Sequence, residues 1–117
     1  MKTQFKIFTA FLFFAFFSLT ASAQKKIQTD TLSVTGVCEM CEKRIEKAAF
    51  IRGVKLTEWD KEAQRLTVTY KTKRTNMDEI ATAVAQAGHD NGKKKAPKEA
   101  YAKLPDCCAY RDGVKVH

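Results

Sequence analysis

Two cysteines, Cys38 and Cys41, stand where one hydrophobic period gives way to another, and that joint constrains the fold more than any other feature. Before it, Leu32 and Val34 alternate with Thr31, Ser33 and Thr35, the period of two that turns one face of a strand toward a core. After it, Cys41, Ile45, Ala48 and Ala49 fall at helical spacing, with Glu42, Lys43, Arg44, Glu46 and Lys47 on the opposite side. Gly36 breaks the strand. The sequence predicts a strand over residues 31–35, a short turn carrying Cys38, and a helix over residues 39–50 with Cys41 in its first turn.

The pattern continues downstream. Residues 54–59 read as a strand, Asp60 to Gln64 as a turn, and residues 65–71 as the clearest strand, with Leu66, Val68 and Tyr70 alternating against Arg65, Thr67 and Thr69. Trp59 and Tyr70 are expected to pack in the sheet. Asn76 and Glu79 have the spacing of a helix-capping box, Met77, Ile80, Val84 and Ala87 form an apolar stripe, and Gly88 supplies the stop. The order β-α-β-β-α predicts an α+β chain of the ferredoxin-like, split βαβ type. A fourth strand would complete it, but residues 89–95 carry almost no apolar side chains, so that strand is expected to be very short, an edge, or missing. Residues 97–104 read as a short helix, and Pro105 ends it ahead of a tail with Cys107 and Cys108.

The first 23 residues have another purpose. Lys2 and Lys6 precede an apolar run with six phenylalanines between Phe8 and Phe17, and Ala21-Ser22-Ala23 supplies a small-x-small cleavage pattern. That is the layout of a secretory signal peptide, and the run is shorter than the roughly 20 residues that span a bilayer. The expected division is a signal peptide over 1–23, a polar leader over 24–30, a domain over 31–92, and a Lys-rich linker, short helix and Cys-Cys tail over 93–117. Export places the chain in the periplasm of a bacterium, or outside another cell, with no stable membrane insertion after cleavage. The net charge of +8 falls to +6 on cleavage, because the signal carries two lysines and no acid. Export and the mixing of Lys with Glu argue against a nucleic-acid partner. The chain is expected to be a monomer.

Four cysteines in an exported chain would ordinarily form two disulfides, but Cys107 and Cys108 are adjacent, and neighbouring cysteines strain any bond between them. At Cys38 and Cys41 the choice is between a disulfide and a soft metal ion. The helix N-terminus stabilises thiolates through unpaired N–H groups and the helix dipole. Thiolates select Cu(I), Zn(II) and similar ions over Mg or Ca. Two thiolates satisfy nearly linear Cu(I) or Hg(II), whereas Zn(II) wants four ligands.

With these residues named, a resemblance follows. Gly36-x-Cys38-x-x-Cys41 between a strand and a helix, continued by β-β-α, resembles the heavy-metal-associated domain family over residues 31–90. The resemblance implies that Cys38 and Cys41 are metal ligands. It sets His89 at a loop position near the metal, where it would support the ligands without binding the ion, a role that Met40 could share. The family usually carries Gly-Met-x-Cys-x-x-Cys; here only Val37 separates Gly36 from Cys38, so the loop is one residue shorter and its methionine is missing. The tail with Cys107 and Cys108 looks like an extension found in some bacterial members; its two thiols either add ligands or make a second soft-metal site, or else one forms a disulfide or both stay free.

The expected function is exported soft-metal binding, by a copper chaperone or a sequestering module. Cu(I) is the expected ion, with Hg(II), Zn(II) and Cd(II) as other thiophilic candidates, and the partner is a thiol-bearing protein that gives or takes it. No acid/base dyad, nucleophile–base pair or phosphate loop stands out, so no enzymatic activity is expected. The alternative is a small thiol–disulfide protein, although Trp-Cys-Gly-Pro-Cys and a suitably placed cis-proline are absent.

Overall fold

A computed structural model describes residues 26–117. The expected signal segment, residues 1–23, lies outside the described residues. The elements are β1 (Ile27–Ser33), α1 (Glu39–Ala49), β2 (Val54–Asp60), β3 (Arg65–Lys71), α2 (Met77–Gln86) and α3 (Lys98–Ala102), followed by 3₁₀ turns at Asp106–Cys108 and Tyr110–Asp112. The strands form an antiparallel sheet in the order β1-β3-β2. β1 and β2 therefore run the same way with β3 between them, the split βαβ arrangement expected from the sequence. Among the described residues no helix is long and apolar enough to cross a membrane.

β1 begins earlier than its hydrophobic pattern. Residues 27–30, expected to be part of a leader, pair with the far half of β3, from Ile27↔Lys71 to Asp30↔Val68. Backbone pairing does not need apolar side chains, and the polar ones here find partners. The Tyr70 hydroxyl donates to Asp30 at 2.6 Å, and the Thr29 and Thr69 hydroxyls meet at 2.9 Å. At the other end, Val34 and Thr35 leave the strand. β2 also departs from simple alternation: Val54 and Trp59 are both buried while Leu56 is exposed. A register shift between Val54 and Leu56 explains this, since one extra residue flips the faces that follow.

The fourth strand is reduced to a single antiparallel bridge, Val34↔Asn91, on the free edge of β1. Thr35 N–H donates to Asp90 O and Gly92 N–H to Ser33 O, both at 2.9 Å. The Asn91 side chain then accepts from the N–H groups of Lys93 and Lys94, so the lysine run is an exposed turn built on that asparagine.

α1 buries Cys41, Ile45 and Ala49 on the predicted face, and α2 buries Ile80, Ala81, Val84 and Ala85. All of these but Ala85 meet Leu32, Val34, Leu66, Val68, Tyr70 and Trp59 in one core. Each fully buried aliphatic side chain contributes about 1.5–3 kcal/mol, so this layer holds the fold. Asn76 caps α2 by accepting from Glu79 N–H at 2.9 Å. The reciprocal half of the box does not form, because the Glu79 carboxylate accepts from the Thr75 hydroxyl instead. Gly88 follows α2 at φ 105°, left-handed backbone that a side chain rarely adopts.

Candidate metal centre

The loop from Val34 to Cys38 is held by backbone hydrogen bonds along its length. Val34 N–H donates to Gln64 O, Gly36 N–H to the Gln64 side chain at 2.9 Å, and Val37 O accepts from His117 N–H at 2.8 Å. His117, a terminal residue that the sequence offered no reason to place, is thus tied to this loop. Underneath lies Trp59, whose indole N–H donates to Val34 O at 3.1 Å. A Cβ on Gly36 would stand 2.9 Å from two Trp59 ring atoms and 3.1 Å from Ile45. Glycine is needed here for close approach. Val37 and Trp59 are buried beside the loop, whereas Met40 is 55% exposed and does not replace the absent methionine beneath it.

The loop delivers Cys38 to the position before α1, with Cys41 one turn later. The third sulfur comes from the tail: Cys108 is fully buried, and the Cys38, Cys41 and Cys108 Sγ atoms lie within 4.8 Å of one another. Cys38 Sγ is 3.5 Å from Cys41 Sγ and 3.6 Å from Cys108 Sγ. All four cysteines are free thiols. Cys107 stays at the rim, half-buried, 4.0 Å from Cys108 Sγ and 3.6 Å from Met40 Sδ.

Position decides the protonation of these thiols. Burial alone would raise Cys38, but hydrogen bonds from the Cys41 backbone, the Cys41 and Cys108 thiols and the Met40 backbone outweigh it and bring the group down to about 7. Burial raises Cys41, and burial with the two neighbouring thiols raises Cys108 much further. The cluster thus holds one readily ionised sulfur and two that keep their protons until a cation displaces them.

The tail is clamped by a set of groups that sequence reasoning did not find. Arg111 donates to Asp90 through Nη2 at 2.6 Å and Nε at 3.1 Å, and to Ala96 O at 2.9 Å. The Tyr110 hydroxyl donates to Gly88 O at 2.7 Å and accepts from Asp90 N–H at 2.9 Å. The Arg111 guanidinium also lies 4.6 Å from the centre of the Tyr101 ring. The available signal was the pairing of an acid at Asp90 with Tyr101, Tyr110 and Arg111 in an otherwise polar tail, but spacing could not show that they meet.

His89 is brought near the loop without joining the sulfurs. It is fully buried, and its Nδ1 is 2.8 Å from Thr35 O, which requires the proton on Nδ1 because a carbonyl only accepts. Burial lowers its pKa and keeps the ring neutral, Nε2 has no hydrogen-bond partner among the described residues, and the ring stacks on Tyr110 at 5.8 Å. Its hydrogen bond is to the loop backbone, and it stands outside the group formed by Cys38, Cys41 and Cys108. Beside Met40, an open groove of about 550 Å³ is lined by Lys43, Arg44, Lys47, Ala48 and Ala87.

No family model matches the sequence, and no curated protein sequence matches it significantly. Solved structures do. The oxidised form of MerP from Ralstonia metallidurans CH34 is 31% identical, with a TM-score of 0.53 over 56% of this chain and 94% of that one. The CopZ metallochaperone is 24% identical, with a TM-score of 0.53 over 55% of this chain and 98% of that one. A solution structure from Bacillus anthracis str. Ames is 21% identical, with a TM-score of 0.54 over 58% of this chain and 99% of that one. The latter two speak to the fold alone. With nearly the whole of MerP matched, and the cysteine pair set between β1 and α1 of a split βαβ sheet, the chain belongs to the heavy-metal-associated domain family.

Proposed function

We propose that this chain is an exported, non-enzymatic carrier of one Cu(I) ion, held by the thiolates of Cys38, Cys41 and Cys108 and exchanged with a thiol-bearing partner protein. The observation that carries the reading is the meeting of three buried sulfurs at the start of a helix. Thiolates favour soft ions. Three sulfurs fall short of the four ligands a structural Zn(II) site requires, while Cu(I) accepts two or three. The name of one structural neighbour is in keeping with metal handling of this kind: CopZ is called a metallochaperone. Export follows from the signal-like residues 1–23 and implies a periplasmic place in a bacterium. Hg(II) is the ion closest to Cu(I) in its ligand demands, and Cd(II) and Zn(II) follow.

The test is an anaerobic competition titration with Cu(I) on the purified protein. One ion per chain is expected, with tight binding abolished in both Cys38→Ser and Cys41→Ser. Unchanged affinity in both variants would sink the assignment. A measurable two-electron potential at Cys38 and Cys41, with no affinity for Cu(I), would favour the thiol–disulfide alternative.

A further inference from the structure

The three-sulfur cluster is closed to solvent: Cys38 is 5% exposed, and Cys41 and Cys108 are fully buried. An ion arriving from outside needs a sulfur that it can reach first. Two stand at the rim. Met40 follows Cys38 by two residues in the first turn of α1, yet its side chain lies out in solvent. Cys107 comes from the tail, and its thiol donates to the Met40 sulfur at 3.6 Å. The same Cys107 sulfur is 4.0 Å from Cys108 Sγ, which is one of the three inside. A continuous run of sulfurs thus leads from the exposed Met40 through Cys107 to Cys108 and Cys38. Burial gives Met40 no reason to be apolar, since it covers no core; its chemistry does, because a thioether is a soft, neutral ligand that needs no deprotonation.

We propose that Met40 and Cys107 form an outer thiol–thioether station that captures Cu(I) and passes it to the buried cysteines. This rests on the Cu(I) reading above. At the station the incoming ion leaves its donor ligand, which departs with its electron pair. The ion bonds to the Met40 thioether and to Cys107, whose proton goes to solvent. Cys108 then loses its proton and adds to the ion as the bond to Met40 breaks. Cys38 and Cys41 bind as thiolates in their turn, any proton they still carry passing to solvent, and the bond to Cys107 breaks as that sulfur regains a proton from solvent. Copper stays at +1 throughout, and no electron changes hands. Direction comes from the ligands: a thiolate and a neutral thioether hold Cu(I) less firmly than three thiolates.

The experiment separates rate from equilibrium. Cu(I) is supplied under argon as its coloured bicinchoninate complex, and loss of colour is followed by stopped flow for wild type, Met40→Leu, Cys107→Ser and the double variant. Met40→Leu conserves volume at an exposed position, so folding is not at issue. Each single change is expected to slow uptake by about tenfold or more, the usual scale for removing a supporting group at a metal site. The double variant should be no slower than the slower single, since the two sulfurs act as one unit. Equilibrium affinity should move by less than about threefold, because affinity resides in the three inner thiolates. Uptake at the wild-type rate in both single variants overturns the station. So does a Cys107→Ser loss of affinity as large as that of Cys108→Ser, which would make Cys107 a resident ligand. If wild type itself binds no Cu(I), the reading of the inner site falls and the station with it. If wild type binds and only the rates are unaltered, the station alone falls.

Discussion

Cys38 and Cys108 are seventy residues apart in the chain, yet their sulfurs lie 3.6 Å apart inside the protein. The contact turns a two-thiol motif into a three-thiol cluster. If all three sulfurs hold the ion, Cys108→Ser should lower Cu(I) affinity by about a hundredfold while leaving one site per chain. X-ray absorption should count three sulfur neighbours in wild type and two in the variant. Three sulfurs persisting in Cys108→Ser would show that another group, such as Cys107, takes its place.

The contact also marks how far sequence reasoning reached. The strand, loop and helix around Cys38 and Cys41 are local, and local periodicity places both sulfurs. Leu66, Val68 and Tyr70 announce β3 in the same way. Cys108 is different: it reaches the site because Arg111 and Tyr110 fasten the tail to Asp90 and Gly88. Those bonds cross twenty or so residues of chain with no periodic signal, and closing such a loop costs only a slowly growing entropy that spacing does not reveal. The early start of β1 was hidden for a related reason. Pairing with β3 is a backbone matter, and polar side chains at Gln28, Thr29 and Asp30 do not advertise it.

The clamp makes a pH-dependent contribution. Burial would raise the Asp90 carboxyl, but the hydrogen bonds from Arg111 and from Ala96 N–H outweigh it and hold the group below its ordinary 3.8. A carboxylate depressed in the folded state stabilises the fold fully above the unfolded value, and the gain is lost as pH falls through the folded one. Asp90→Asn should therefore cost about 2 kcal/mol at pH 7, the scale of hydrogen bonds to a charged group. The gap between wild type and variant should close below about pH 4. Denaturant unfolding across that range measures it, and a gap that widens on acidification would contradict the assignment.

Gly36 tests the floor of the metal loop. A Cβ there would meet the Trp59 ring at 2.9 Å, and that ring is buried and fixed by its bond to Val34 O. With Ile45 on the other side at 3.1 Å, the loop must lift or the ring must shift. Gly36→Ala should lose about 1–3 kcal/mol, typical of overpacking a close-packed site. Trp59 is the sole tryptophan, so its fluorescence reports both unfolding and the displacement. An unaltered emission spectrum with unaltered stability would show that the loop is not seated on the ring.

Tyr110 is where the tail can be loosened without touching a sulfur. Burial pushes its hydroxyl up to about 12, so the proton is present at any physiological pH and available to Gly88 O. The same oxygen accepts from Asp90 N–H. Tyr110→Phe keeps the ring beside His89 and Tyr101 but strands two backbone groups, at a cost of about 1–3 kcal/mol. The penalty falls on the clamp, because the sheet and the two long helices keep their own core. Cys108 should consequently become more open to alkylation while the global unfolding midpoint moves little. Mass spectrometry of pulse-alkylated protein resolves the sites one by one. Equal acceleration at Cys38, Cys41 and Cys108 would mean that the whole fold has loosened; acceleration confined to Cys107 and Cys108 is the outcome expected of a tail released from Gly88 and Asp90.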